Sequence, residues 1–403
     1  MNKHLRSLFI FAIVAFIPSH AFAALSLRDE LLSSIVQIVG MSEDGEVFIG
    51  SGTTISQSGL VLTNYHVITD KSTNAPFANL SICYTVSQFE LPRCIATAKI
   101  IAGFEERDLA IIMPDKVIAE SGRATDESFQ EFWKQTGQKF YTVPFKNYKK
   151  NTSANILDKI TVWGYPVVGE STITVTSGLI SGFTTKKAGE EKTFVRFMKT
   201  DTAINPGNSG GAAFNKYFSF IGVPSNAWPG QLGFIIPVEA VVEWFKDLDK
   251  NGAIAIKSIE SMQTYRDYFV DIDKSDPFYD VAFLMKHFGI MGLGSRHAFF
   301  PDRPLTRAEA IQMIVSLKRI AIPPASLSCA AYFKQKWFAD AVCFALENAW
   351  IEEKNYGAEK AITKAEFSSL LSRTLQQVFW RSTSSDVITR REAAQVIYDF
   401  IAP

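Results

Sequence analysis

A serine set among glycines, a histidine behind an apolar run and an aspartate ahead of another have the types and order needed for nucleophilic chemistry. Ser209 stands in Asp201-Thr-Ala-Ile-Asn-Pro-Gly207-Asn208-Ser209-Gly210-Gly211. Glycines on both sides let the backbone make a tight turn whose N–H groups point at a ligand, as an oxyanion pocket requires. Taken alone, the same string also fits a Gly-rich hairpin loop. A serine hydroxyl needs a base, and the base needs an acid that fixes its tautomer and stabilises imidazolium. The chain has five histidines. His4 and His20 lie in a segment expected to be removed, His287 and His297 lie in the second half, and His66 follows the apolar run Gly59-Leu-Val-Leu-Thr63. Asp108 immediately precedes Leu109-Ala-Ile-Ile112. A lone histidine is more often structural than catalytic, so the weight falls on the three residues together.

Short β-rich runs supply the scaffold. They fall at 35–39, 47–49, 59–63, 109–112, 160–163, 173–176, 194–197, 220–223 and 233–236, punctuated by Gly, Pro, Asn and Ser. Such runs predict an antiparallel barrel or sandwich, and periodicity does not choose between the two. The run Val238-Glu-Ala-Val-Val-Glu-Trp-Phe245 has helical spacing and closes this half, with Gly252 ending the helix.

The chain starts Met1-Asn-Lys-His-Leu-Arg6, continues with an apolar stretch over 8–17, and reaches Ala21-Phe-Ala23 after Pro18. A basic start, a short apolar centre and small residues before the cut are the parts of an export signal, here 1–23 with cleavage after Ala23. The alternative, an uncleaved anchor, would need roughly 20 apolar residues. The mature chain is therefore expected outside the cytoplasm, in the periplasm, the cell wall or at the cell surface. There disulfides persist, and the four cysteines form two local pairs, Cys83 with Cys94 and Cys329 with Cys343. Each pair lies inside one candidate domain. Their spacing is wrong for zinc, so neither a metal nor any other cofactor is expected. Lys plus Arg (41) equals Asp plus Glu (41), which argues against a nucleic-acid partner.

With these residues in view, the first half resembles the trypsin-like serine proteases, in particular the Deg/HtrA branch. The resemblance is carried by Gly50-Ser-Gly-Thr-Thr-Ile-Ser-Gln-Ser-Gly-Leu-Val-Leu-Thr-Asn-Tyr-His66-Val, Asp108-Leu-Ala-Ile, Val175-Thr-Ser-Gly-Leu-Ile-Ser181, the stretch around Ser209, and Gly233-Phe-Ile-Ile-Pro237. It covers about residues 30–248, and the His, Asp, Ser order matches. It implies an all-β fold, a chymotrypsin-like pair of six-stranded barrels with the site in the cleft between them. By the same resemblance Ser209 is the nucleophile, His66 the base and then acid, Asp108 the orienting acid, and the N–H groups of Gly207 and Ser209 the oxyanion hole. The walls of the specificity pocket are segments 202–204 and 222–226, with Thr202, Ala203, Ile204, Gly222 and Val223. No acid stands there for basic substrates, which points to small or medium aliphatic residues before the scissile bond. Pro224 is unusual in that wall. The implied partners are protein or peptide substrates, unfolded proteins among them, and the implied assembly is a homotrimer. Two departures stand out: a polar, aromatic-dotted insertion over about 118–154, expected to be a surface loop, and no recognisable PDZ domain downstream.

From about 258 onward the pattern turns helical, which sets the domains as 24–248, a linker 249–275 and a helical region 276–403. Thr306-Arg-Ala-Glu309, Thr363-Lys-Ala-Glu366 and Thr389-Arg-Arg-Glu392 are capping boxes. With Phe278-Tyr-Asp-Val and Trp337-Phe-Ala-Asp340 ahead of the first two, they resemble the S-layer homology module. That module implies contact with cell-wall polysaccharide or an S-layer through Arg307, Lys364 and Arg390. The third repeat reads as a half, and a packing or docking role is the competing reading. Asp271-Ile-Asp273-Lys-Ser275 opens like a calcium loop, but Asp276 and Ala282 stand where glycine and glutamate are needed. The whole reads as an exported serine endopeptidase tethered to the envelope, with an inactive protease-like scaffold as the alternative.

Overall fold

The computed structural model describes residues 27–401 apart from 71–72, 74, 146–152, 170–171, 189–191, 228–231, 255–268, 295–296, 335, 353–355 and 376–379. The expected export signal and residues 146–152 of the insertion lie outside the described residues.

After a short helix α1 (Leu27–Ser33), seven strands form the first sheet: β1 (Ile35–Met41), β2 (Val47–Thr54), β3 (Val61–Thr63), β4 (Asn79–Tyr84), β5 (Arg93–Phe104), β6 (Leu109–Ile118) and β7 (Ala124–Ser128). Pairing of β3 with β6, Thr63 opposite Ala110, closes six of them into a barrel. Val36, Ile38, Val61, Ile82 and Ile112 fill it. The second barrel closes in the order β10-β13-β12-β11-β8-β9, from β8 (Lys159–Gly164), β9 (Thr174–Ala188), β10 (Lys192–Thr200), β11 (Ala212–Asn215), β12 (Phe220–Ala227) and β13 (Gly233–Pro237). Ile160, Val162, Ile180, Met198 and Ile235 fill this one. The two barrels are the architecture expected of a chymotrypsin-like chain.

The insertion differs from a surface loop. Strand β7 leads into helix α2 (Phe129–Thr136), which Gly137 ends in a left-handed conformation at φ 67°. Phe129 is buried, and its ring stacks with Trp133 at 5.4 Å, which in turn stacks on Tyr84 at 5.5 Å and on Phe140 at 4.9 Å. Aromatic residues at one-turn spacing on one helix face explain this packing against the first barrel. Their signal was masked by the polar residues between them.

Helix α3 (Val238–Lys250) follows the second barrel, and among the described residues six more lie in the C-terminal unit: α4 (Phe278–His287), α5 (Arg307–Leu317), α6 (Leu327–Tyr332), α7 (Ala339–Glu347), α8 (Lys364–Leu375) and α9 (Arg390–Ile401). Phe269 and Ile272, within the stretch expected to be linker, are buried. Asp271 accepts the N–H groups of Phe299 (2.9 Å) and Phe300 (2.6 Å), tying the chain ahead of α4 to the segment that precedes α5.

All three capping boxes are formed, and they join in a ring. Leu305 N–H donates to Ile388 O (2.9 Å), Ile388 N–H to Ile362 O (3.0 Å) and Ile362 N–H to Leu305 O (2.9 Å). These three residues, each just ahead of a box threonine, are fully buried. The third box, which reads as half a repeat, therefore completes a threefold centre.

The barrels and the helices share one apolar core. A single cluster runs from Leu31, Leu109 and Trp163 through Val241 and Phe245 to Phe283, Ile314 and Ile397. Polar contacts pin its edges. Arg319 pairs with buried Glu30 of α1, with Nη2 2.6 Å from Oε2. The Tyr398 hydroxyl donates to Lys216 O at 2.7 Å, and its ring lies 5.7 Å from Tyr217. His287 Nε2–H donates to Thr142 O at 3.0 Å. The disulfides are Cys83–Cys94 and Cys329–Cys343. No helix among the described residues is long and apolar enough to cross a membrane.

A shared core should unfold as a unit. Calorimetry of the mature chain is expected to give one endotherm, where independent barrel and helical domains would give two. The docking should also be acid-sensitive. Burial pushes the His287 imidazole from 6.5 down to about 4, against the Thr142 carbonyl and with help from Arg319 and Lys286. The unfolded chain therefore binds a proton here that the folded one refuses. This site's contribution is complete above pH 6.5 and is lost as pH falls to about 4, by up to roughly 3 kcal/mol. Melting midpoints measured from pH 7.5 to 4.5 should fall less steeply for His287→Gln, which keeps a donor and cannot charge.

Candidate active site

Strand pairing brings His66 and Asp108 together. His66 lies in a turn (Tyr65–Val67) that follows β3, and Asp108 immediately precedes β6. Because β3 and β6 are antiparallel neighbours, the residues after one strand meet the residues before the other. Asp108 holds a left-handed conformation at φ 54°, a strained one for a residue other than glycine. The buried Asn64 side chain donates to its carbonyl at 2.8 Å. Its carboxylate accepts the His66 backbone N–H at 3.0 Å, and both its oxygens lie 2.9 Å from His66 Nδ1. A carboxylate only accepts, so Nδ1 carries the proton and Nε2 is left as the basic nitrogen.

A further donor comes from the second barrel. Ser225, buried on β12, donates from Oγ to Asp108 Oδ2 at 2.6 Å. The sequence reading placed this residue only inside a pocket wall; nothing in its local spacing points to Asp108, which is distant in the chain. Its carbonyl accepts the Ser209 hydroxyl at 2.5 Å. Ser209 is thus linked to the His66–Asp108 pair through Ser225, and its hydroxyl rests on that carbonyl rather than on His66.

The loop carrying Ser209 is shaped by two glycines that no other residue could replace without strain. Gly207 has φ 101°, and a Cβ there would lie 2.3 Å from Tyr165 O; Gly210 has φ 85°, and a Cβ there would lie 2.2 Å from Ser51 O. Within the loop, Asn208 N–H donates to Asn205 O (3.0 Å), Gly210 N–H to Pro224 O (3.0 Å) and Gly211 N–H to Asn208 O (3.1 Å). Among the described residues, the N–H groups of Gly207 and Ser209 donate to nothing. Pro224 fits because β12 is irregular between Pro224 and Ala227.

Of the expected pocket walls, Thr202, Ile204, Gly222 and Val223 are buried and Ala203 is exposed. Ile204 packs in the second-barrel core with Ile180 and Ile235. Thr202 accepts the Thr200 hydroxyl at 2.8 Å, and Ala203 O accepts Thr176 Oγ1 at 3.0 Å.

The basic residues of the three boxes close a second ring around the helical centre. Arg307 pairs with Glu366, Lys364 Nζ lies 2.7 Å from Glu392, and Arg390 Nη1 lies 3.1 Å from Glu309. Each box thus supplies the cation for the next and the anion for the previous one. Arg390 is buried and also donates to Phe299 O and Gly292 O, both at 2.8 Å. Next to it is a cavity of about 520 Å³ lined by exposed Trp337, Phe300 and Arg303.

Residues 50–223 match the trypsin-like peptidase domain family. The chain is 29% identical over 210 residues to a probable periplasmic serine endoprotease, DegP-like, of Hahella chejuensis, covering 51% of this chain and 36% of that protein. It is 36% identical over 99 residues to the chloroplastic protease Do-like 2 of Arabidopsis thaliana, covering 24% of this chain and 16% of that one. Among solved structures it is similar to the serine endoprotease from Yersinia pestis, at 24% identity and a TM-score of 0.39, covering 55% of this chain and 65% of that one. The chain spans about a third or less of the length of these two curated relatives.

Proposed function

We propose that the chain is an exported serine endopeptidase that hydrolyses peptide bonds in proteins, unfolded ones among them. The observation that carries this reading is the polar chain from His66 through Asp108 and Ser225 to Ser209, ending beside the two uncommitted N–H groups of Gly207 and Ser209. In the reaction the Ser209 hydroxyl turns from the Ser225 carbonyl onto His66 Nε2, which takes its proton as Oγ attacks the scissile carbonyl. Asp108 stabilises the imidazolium, and the Gly207 and Ser209 N–H groups bind the oxyanion. His66 then protonates the leaving amine, and water repeats the cycle on the acyl-enzyme. No acid stands in the wall segments 202–204 and 222–226, which favours an aliphatic side chain before the cut.

Export follows from the N-terminal segment and agrees with the periplasmic naming of the Hahella relative. The homotrimer stays part of this reading through the Deg/HtrA resemblance. The helical unit serves as the envelope tether. Its box cations pair with glutamates, so the cavity under Trp337 and Arg303 is the surface on which an acidic glycan would stack and pair.

Fluorophosphonate labelling of the mature chain is expected at Ser209 and should vanish in Ser209→Ala and His66→Ala. Ser209→Ala should lower turnover on the order of 10⁶-fold, as triad removals do elsewhere. Labelling absent both at rest and with unfolded protein present would leave the scaffold reading. For the tether, sedimentation with purified cell-wall polysaccharide should be lost in Trp337→Ala and kept in Ser209→Ala; equal binding by both would reject the cavity as the contact.

A further inference from the structure

The loop that would form the oxyanion hole is held by a residue of the other barrel. Ser51 lies on β2, fully buried, and all of its polar groups are engaged. Its Oγ donates to Gly207 O at 2.6 Å and accepts the Tyr165 N–H at 2.8 Å. Its N–H donates to Ser209 O at 2.9 Å, and its carbonyl accepts Thr63 Oγ1 at 2.7 Å.

Peptide planarity gives these contacts their meaning. Four consecutive planes carry the loop from Pro206 to Gly210. Val167 N–H holds the first through Pro206 O (2.9 Å), and Gly211 holds the third through Asn208 O. The fourth, at Ser209–Gly210, is held by Ser51 N–H and by Pro224. The second, at Gly207–Asn208, has two holders among the described residues: Asn205 from inside the loop, and the Ser51 hydroxyl from outside it. That plane separates the two N–H groups that would face an oxyanion. Its orientation sets the φ and ψ of Gly207, the residue with the widest conformational choice in the loop.

We propose that Ser51 is a positioning residue that fixes the angle between the Gly207 and Ser209 N–H groups, so that a side chain of the first barrel pre-forms the oxyanion hole of the second. This rests on the serine endopeptidase reading. In Ser51→Ala the Gly207 carbonyl and the Tyr165 N–H both lose their partner. A Cβ at Gly164 would come within 2.8 Å of Ser51 Oγ, so the surroundings are close and the vacated volume is about one oxygen, too small for a water.

The test compares Ser51→Ala and Ser51→Cys with wild type and with Thr85→Val. Thr85 supplies buried hydrogen bonds to Ile35 O and to the Tyr165 hydroxyl but none to the loop. Readouts, taken below the melting temperature, are kcat and KM on a peptide, the rate of fluorophosphonate labelling, and affinity for a peptide boronate against the matching product peptide. Ser51→Ala should lower kcat, labelling rate and boronate affinity together, by roughly 10- to 100-fold, somewhat less than removal of an oxyanion donor. KM and product affinity should hold. Ser51→Cys, a weak donor, should fall between, and it replaces the alanine variant should that fail to fold. Thr85→Val should lower only the melting temperature. Overturning results are a Ser51→Ala or Ser51→Cys enzyme that melts earlier yet keeps wild-type kcat and boronate affinity, or equal loss of product affinity. A wild-type chain that never labels overturns the endopeptidase reading and this inference together; a reactive wild type matched by its Ser51 variants overturns the inference alone.

Discussion

Everything at the candidate site depends on buried polar groups that cross the seam between two barrels. Each barrel satisfies its own backbone through strand pairing, but the loop carrying Ser209 has no ladder to join. Its carbonyls must find donors elsewhere, since an unpaired buried group costs about 1–3 kcal/mol. The first barrel supplies those for Gly207 and Ser209 through Ser51, and the second returns the contact through Ser225 on Asp108. The seam is thus stitched in both directions, and each stitch ends on a residue of the His66, Asp108, Ser209 set or beside one. With the surrounding groups satisfied, the N–H groups of Gly207 and Ser209 remain uncommitted, and that selective vacancy is what a developing oxyanion needs.

The helical unit is organised by the same rule on a smaller scale. Three chain segments too short to form a sheet satisfy one another as a triangle of backbone hydrogen bonds at Leu305, Ile362 and Ile388, with the box ion pairs closing over it. A buried cation such as Arg390 is tolerable only when paired and hydrogen-bonded, which Glu309 and two carbonyls accomplish. The unit is not strung loosely behind the barrels. Its core is continuous with theirs, and the contacts at Glu30, Thr142 and Lys216 tie it to the first helix, to the segment between the barrels and to a turn of the second barrel.

The sequence by itself determined what depends on neighbouring residues. Strands with strong apolar runs, β1, β3, β6, β8 and β13 among them, were legible because a buried strand needs such runs. The turn at Ser209 was legible because only glycine tolerates the conformations at 207 and 210. The helix starts at Thr306, Thr363 and Thr389 were legible because a capping box is complete within four residues. Strands β4, β5, β7 and β11 were not, since polar or small residues interrupt their pattern, and α2 was hidden among charges.

Tertiary structure alone decided the contacts whose partners are far apart in the chain. Ser225 reads only as part of a pocket wall, and Ser51 only as part of the Gly50–Val67 stretch, until closure of the barrels sets them against Asp108 and Gly207. Likewise Arg307, Lys364 and Arg390, read through the resemblance as glycan contacts, each meet a glutamate of the next box in the ring. His287 reads only as a histidine of the second half until docking sets it against the Thr142 carbonyl. The physical reason is common to all of these. A side chain's type is written in the sequence, but its desolvation and its hydrogen-bond partner are set by which distant surface comes to cover it.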